Sequence, residues 1–265
     1  MIRTLGKESS ALYLRGVTIG VMQSKEPEVI DALFAGAGGF SGVIPGFRVA
    51  SEAERADIYR DLLPALLELE SNLGHRWRHK VALLKALGAS SDFFPLEAVE
   101  DRVFPIVLAH LNSGVVPVRE AAAETVCRLL HTHPRSSHRH DIFAKIVREH
   151  AHARGCLQRI TFVPVVRAAL ETFSNRWVRE NYFTAAAIEL LSDRTPNVRL
   201  AACALLPALK GTCRAEEDRI NIEAMTAAVE RLKGDSDPDV AAAAQAVAAA
   251  FKTAPAGGPG PPRGG

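Results

Sequence analysis

All nine histidines fall between His75 and His152, and six of them, His131, His133, His138, His140, His150 and His152, crowd one stretch. Imidazoles at that density are what a transition-metal site needs. Histidines two apart on a helix point to different sides, however, and no Cys or acidic motif at ligand spacing accompanies them. They read instead as solvated polar positions, with no metal and no cofactor expected. The run Gly36 to Gly42 is the other candidate, as a phosphate cradle. No Lys-Ser or Lys-Thr follows it and no clear strand precedes it, so a surface loop is expected. Carboxylates are plentiful, but no acid–base pair stands out from them. The sequence points to a chain that is not an enzyme.

Charge and cysteine usage narrow the partners. The stretch holding Arg135, Arg139, Lys145, Arg148, Arg154 and Arg159 carries only Asp141 and Glu149 in opposition. Such a patch suits an acidic partner or nucleic acid, with a solvated face as the plainer reading. No aromatic residues interleave it for base stacking, and the net charge of the chain is only +2, so no nucleic-acid partner is expected. Cys127, Cys156, Cys203 and Cys213 lack C-x-x-C spacing and read as reduced, mostly packed thiols of a cytoplasmic or nuclear protein. Met1 to Lys7 lacks the apolar run of a signal peptide, and no run of about 18 apolar residues occurs, so no membrane is expected. Trp77 and Trp177 read first as packing between helices and second as partner contacts.

The elements that carry these residues announce themselves by a repeat. Hydrophobic residues make up 48% of the chain but aromatics only 6%, a balance that favours helices over sheets. Arg76-Trp77-Arg78, Pro117-Val118-Arg119, Leu157-Gln158-Arg159 and Asn197-Val198-Arg199 place Arg78, Arg119, Arg159 and Arg199 at steps of 41, 40 and 40 residues. Pro238-Asp239-Val240-Ala241 continues the series with Ala241 at the arginine position. A period near 40 is that of helix-pair repeats of the HEAT and armadillo type. Six residues before each of these positions stand Asn72, Ser113, Ala153, Asp193 and Asp235, four of them turn or capping types. An Asp or Asn in a tight turn accepts from backbone N–H groups, and an Arg one turn into the next helix can reach the turn of a neighbouring repeat. Arg78, Arg119, Arg159 and Arg199 are therefore assigned to a structural ladder along the stack.

The expected fold is an all-α solenoid of about six HEAT-type helix pairs, at about 8–40, 52–90, 96–133, 138–173, 176–210 and 215–252. Ser51-Glu52-Ala53-Glu54 is a capping-box pattern for the start of the second pair. Pro117, Pro196 and Pro238 suit the first turn of second helices, while Pro164 lies deeper and should bend its helix. Residues 253–265 are Pro/Gly-rich and read as a disordered tail.

Within that repeat pattern, the run from Arg154 to Lys210 resembles a known family. Leu157-Gln158-Arg159, Ala187-Ile188-Glu189-Leu190, Asp193, Pro196-Asn197-Val198-Arg199 and Leu205-Leu206-Pro207-Ala208-Leu209-Lys210 look like the last HEAT repeats of regulatory subunit 4 of serine/threonine protein phosphatase 4. That family is related to the scaffold subunit of protein phosphatase type 2A. Trp77-Arg78, Pro117-Val118 with Ala121-Ala122-Ala123, Arg139-His140-Asp141-Ile142, and Tyr13-Leu14 through Asp31-Ala32-Leu33 extend the likeness over most of residues 10–210. Family members are considerably longer, so this chain looks like the C-terminal portion of one or a truncated relative. Their charged, helical tail is replaced here by the Pro/Gly stretch.

The resemblance implies a scaffold that binds a phosphatase catalytic subunit of type 4 or 2A class and modulates or targets it. It further implies that the intra-repeat turns grip that subunit. Here those turns are Asn112 to Val116, Ala153 to Gly155, Asp193 to Asn197 and Asp235 to Asp237. The partner-binding candidates are Arg194 and Asn197 first, with Trp177 expected nearby, then Asp193, Asp235 and Arg154. The competing reading is a HEAT scaffold for another partner such as tubulin or a transport cargo.

Overall fold

The computed structural model describes residues 7–35, 40, 52–90, 92–180 and 183–253. The capping box at Ser51, most of the Gly36–Gly42 run and the Pro/Gly tail beyond residue 253 lie outside them. The described residues are helical throughout, with no strand, and no helix among them is long and apolar enough to cross a membrane. The chain divides into two compact units, residues 1–132 and 133–265.

The first unit holds α1 (Lys7–Met22), α2 (Pro27–Ala35), α3 (Glu52–Asn72) and α4 (Trp77–Ala89). It continues with α5 (Leu96–Ala98), a π-helical turn (Val99–Val103), α6 (Phe104–His110) and α7 (Val116–Thr132). These are successive helix pairs, first helices packing on first helices (α1 on α3) and second on second (α4 on α7). On α3 the side chains of Leu62, Leu66 and Leu69, with Leu73 just past its end, recur at helical spacing and are essentially fully buried. Each contributes about 2–3 kcal/mol by leaving water. Small residues set the α4–α7 distance. Ala121, Ala122 and Ala123 are buried, and a methyl group on Gly88 would sit 3.3 Å from the Thr125 side chain. The Thr125 hydroxyl crosses that seam to donate to the Leu84 carbonyl at 2.9 Å, so its burial leaves no unmet polar group.

The second unit holds α8 (Ser136–Ile146) with a π-helical turn (Val147–Ala151), then α9 (Cys156–Thr172). α10 (Asn175–Glu180) and α11 (Phe183–Glu189), closed by a 3-10 turn (Leu190–Ser192), precede α12 (Pro196–Cys203) and α13 (Leu206–Thr212). The last pair is α14 (Arg219–Leu232) and α15 (Pro238–Thr253). α9 packs on α12, α12 on α15, and α11 on α14, which is the same helix-pair stacking. Pro196 and Pro238 open their helices, where a missing N–H costs nothing, and Pro117 is the second residue of α7. Pro164 lies inside α9, which runs through it from Cys156 to Thr172, and Pro64 does the same in α3.

Aromatic residues are few, yet five of them meet in this second unit. Trp177 stacks on Phe173 with centroids 3.9 Å apart, and Phe143 touches Phe173, Trp177 and Phe183 at 5.5, 4.6 and 5.0 Å. Phe162 stacks on Phe183 at 5.5 Å. Such offset and edge contacts add to the area term and fix the side chains in place.

The histidine stretch differs from its expected solvation. His133 is 3% and His150 2% exposed, His138 is half-buried and stacks on His133 at 4.6 Å, while His131, His140 and His152 remain exposed. The imidazole has an apolar body, so it fills core space when its backbone position faces inward.

Candidate partner-binding ridge of the intra-repeat turns

The last two intra-repeat turns are built by the residues that mark the repeat. In the turn before α12, the Asp193 carboxylate accepts the Thr195 backbone N–H at 2.8 Å; before α15, Asp235 accepts that of Asp237 at 2.9 Å. These are Asx turns, which fold the chain sharply between antiparallel helices. Asp237 then caps α15 by accepting the N–H groups of Asp239 and Val240. The arginine that follows reaches back six residues. Nη1 of Arg119, Arg159 and Arg199 donates to the carbonyl of Ser113, Ala153 and Asp193 at 2.8, 2.9 and 2.8 Å. That geometry is why the two markers keep a constant offset in sequence.

Two of these arginines also reach forward into the next repeat. Arg159 grips Asp193 through Nε (2.5 Å) and Nη2 (3.0 Å), and Arg199 grips Asp235 through Nε (2.8 Å) and Nη2 (2.6 Å). Bidentate guanidinium–carboxylate pairs are directional as well as strong. The Arg159 and Asp193 side chains are 9% and 6% exposed, those of Arg199 and Asp235 12% and 9%. Burial works to raise the Asp193 carboxyl, but the Arg159 guanidinium and the Thr195 N–H override it and hold it below its ordinary 3.8. Arg199 does the same for Asp235, assisted by the Asp237 N–H. Donating to Asp193 and Asp235 pushes the Arg159 and Arg199 guanidinium groups the other way, up.

Arg119 and Arg78 depart from this pattern. Arg119 is 7% exposed and bonds its own turn at Ser113; burial lowers its guanidinium, with Glu120 pulling it back. Arg78 is not a ladder residue. It is exposed, and its guanidinium lies 4.3 Å from the centroid of the Trp77 ring. The cause is helix register. Arg119, Arg159 and Arg199 are each the fourth residue of their helix, with backbone N–H groups bonded to Val115, Gly155 and Thr195. α4 begins at Trp77, so its fourth residue is Lys80, whose N–H bonds Arg76 in the same way. In this pair Arg76 and His79 take the contact to the preceding repeat, at 3.5 and 3.6 Å from Asp31.

The turns present a short exposed row. Arg154, Arg194 and Asn197 are exposed, as are Cys156 and, at 37%, Leu157. Arg194 Nη2 donates to the Arg154 carbonyl at 3.0 Å, and the same oxygen accepts Arg159 Nη1 at 2.7 Å, so consecutive turns are tied together. Asp193 and Asp235 lie beneath this surface as its supports. Trp177 is not near it. Arg194 touches Arg154, just before α9, whereas Trp177 stacks on Phe173, just after it. The 17 residues of α9 put roughly 25 Å between those ends. A first helix starts at one edge of a repeat and delivers the chain to the turn at the other, which sequence proximity conceals. Leu157 was also missed, since an apolar residue at a helix start looks like core.

The fold defines the class as a helical-repeat protein, with turns braced from repeat to repeat. The chain is similar to the serine/threonine-protein phosphatase 4 regulatory subunit 4 of Homo sapiens, 27% identical over 252 residues and 88% of this chain, and to that of Mus musculus, 27% identical over 233 residues and 84%. These relatives carry the family name that the turn motifs suggest. The chain spans about a quarter of their length, 27% and 26% respectively. No family model matches it. Among solved structures, a designed armadillo repeat protein aligns over 89% of this chain and 98% of its own, with TM-score 0.44 and 14% identity.

Proposed function

We propose that the chain is a non-catalytic scaffold that binds a serine/threonine phosphatase catalytic subunit of type 4 or 2A class and modulates or targets it, in the cytoplasm or nucleus. The observation that carries this reading is the similarity to phosphatase 4 regulatory subunits along 88% of the chain. The turn ridge supports it, because Arg154, Arg194 and Asn197 are exposed on a frame that Arg159, Asp193, Arg199 and Asp235 hold rigid. A preorganised polar surface binds without a large ordering penalty.

Arg194→Glu tests the surface directly. Affinity for a purified type 4 catalytic subunit, measured by biolayer interferometry, should fall about tenfold or more, as expected for an arginine at an interface centre. Asn197→Arg should weaken binding without touching the Arg154 contact. Unchanged affinity in both variants, with thermal unfolding intact, would remove this ridge as the binding site.

A further inference from the structure

We propose that the turn ridge of the second unit fixes the direction in which a protein partner lies on it, taking an acidic stretch at the turns before α9 and α12 and a basic one at the turn before α15. This deepens the scaffold reading and rests on it for the claim that the ridge is where a partner sits.

Helix register lays two rows of side chains along the three turns. Arg154, Arg194 and Ser236 stand five residues before the ladder position, and Leu157, Asn197 and Asp239 stand two before it. All six are exposed. α9 packs on α12 and α12 on α15, so corresponding residues step from turn to turn by about 10 Å. The bond from Arg194 Nη2 to the Arg154 carbonyl ties the first step at 3.0 Å.

Charge changes sign along these rows. The first two turns carry Arg154 and Arg194; the third carries Asp239, with neutral Ser236 at the arginine position. The acids around the arginines are already committed. Asp193 and Asp235 are gripped by Arg159 and Arg199, and Glu189 faces His152 at 3.6 Å. At the third turn, Arg231 donates to the Leu191 carbonyl and Lys233 pairs with Glu230, while Asp237 accepts the N–H groups of Asp239 and Val240. Among the described residues, Arg154, Arg194 and Asp239 form no ion pair. A partner can therefore neutralise all three without breaking a bond of the ladder, and one laid the other way round meets like charge at both ends. Leu157, 37% exposed, adds an apolar contact at the cationic end, and Asn197 offers a neutral donor and acceptor between the two.

The three turns span about 20 Å, the reach of roughly six extended residues. The probe is a fluorescein-labelled decapeptide of one leucine, three glutamates, three serines and three lysines in that order. Its control has the same ten residues with glutamates and lysines alternating. Each is titrated with the full chain and read by fluorescence anisotropy. The segregated peptide is expected to bind more tightly, and added salt should narrow the difference. Arg154→Glu and Asp239→Lys should each weaken it about two- to fivefold, as for exposed ion pairs, with thermal unfolding confirming that the variants fold. Asp239→Lys should in turn bind the peptide whose lysines are replaced by glutamates more tightly than the wild-type chain does. The proposal is overturned if neither peptide binds, if the two bind equally, or if Asp239→Lys leaves the preference unmoved. Tighter binding of the peptide with glutamates for lysines to the wild-type chain would overturn it as well. No phosphatase enters these titrations, so failure here is separable from failure of the proposed scaffold function.

Discussion

The Arg159–Asp193 pair shows how a charged contact comes to specify an inter-repeat joint. Both groups are almost withdrawn from water, and each has its remaining hydrogen-bonding capacity met by turn backbone. Removing one partner strands the other, so Arg159→Ala should cost about 3 kcal/mol in chemical denaturation. Arg78→Ala loses only an exposed cation–π contact and should cost under about 1 kcal/mol. Equal losses would contradict the register that separates them. The pair also fixes a pH dependence. Because the folded Asp193 carboxyl lies below its ordinary 3.8, the pair's stabilisation is complete above about pH 4 and disappears as pH falls through the folded value. The stability gap between wild type and Asp193→Asn should therefore be flat from neutral pH to about 4 and close below it. At this scale the sequence was informative where one repeat carries both markers, as with Asp193 and Arg199. It misled at Arg78, since the start of α4 at Trp77 is set by packing and no local cap announces it.

At the level of elements, the helix pairs were legible because a leucine stripe and a turn signal recur about every 40 residues. The π-helical turns at Val99–Val103 and Val147–Ala151 were not, for one extra residue in a helix leaves no compositional trace. The second turn bears on the histidines. It carries His150 into the core, where neither ring nitrogen meets a hydrogen-bond partner of good geometry. Burial lowers the His150 imidazole below its ordinary 6.5, while the Ile146 carbonyl one turn back and Glu149 pull against that drop. A depressed folded pKa means that the unfolded chain takes up the proton first, so stability is full above pH 6.5 and lost as pH falls through the folded value. His150→Leu should flatten the denaturation midpoint between pH 7.5 and 5.5. His79, also lowered chiefly by burial, leaves a residual slope. An unaltered profile in His150→Leu would mean that this ring is hydrated or charged in the native state.

For the whole molecule, the sequence suggests one array of six pairs, and the structure gathers the helices into two compact units that meet in sequence after Thr132. A period of 40 residues reports which helices pair but not how many pairs cohere. The aromatic cluster of the second unit shows the same blindness, because Phe143, Phe162, Phe173, Trp177 and Phe183 come from four helices and the link after α9 and are scattered along the chain. The proposed scaffold function rests on the braced, surface-presenting turns and on the similarity to a quarter of a phosphatase regulatory subunit. The most direct measurement is a pull-down of the tagged, folded chain from cell extract, probed for type 4 and type 2A catalytic subunits, with phosphatase activity assayed on the eluate. The scaffold reading predicts a stoichiometric catalytic subunit with activity that disappears from the Arg194→Glu eluate. Folded bait that retains neither the subunit nor the activity would contradict it.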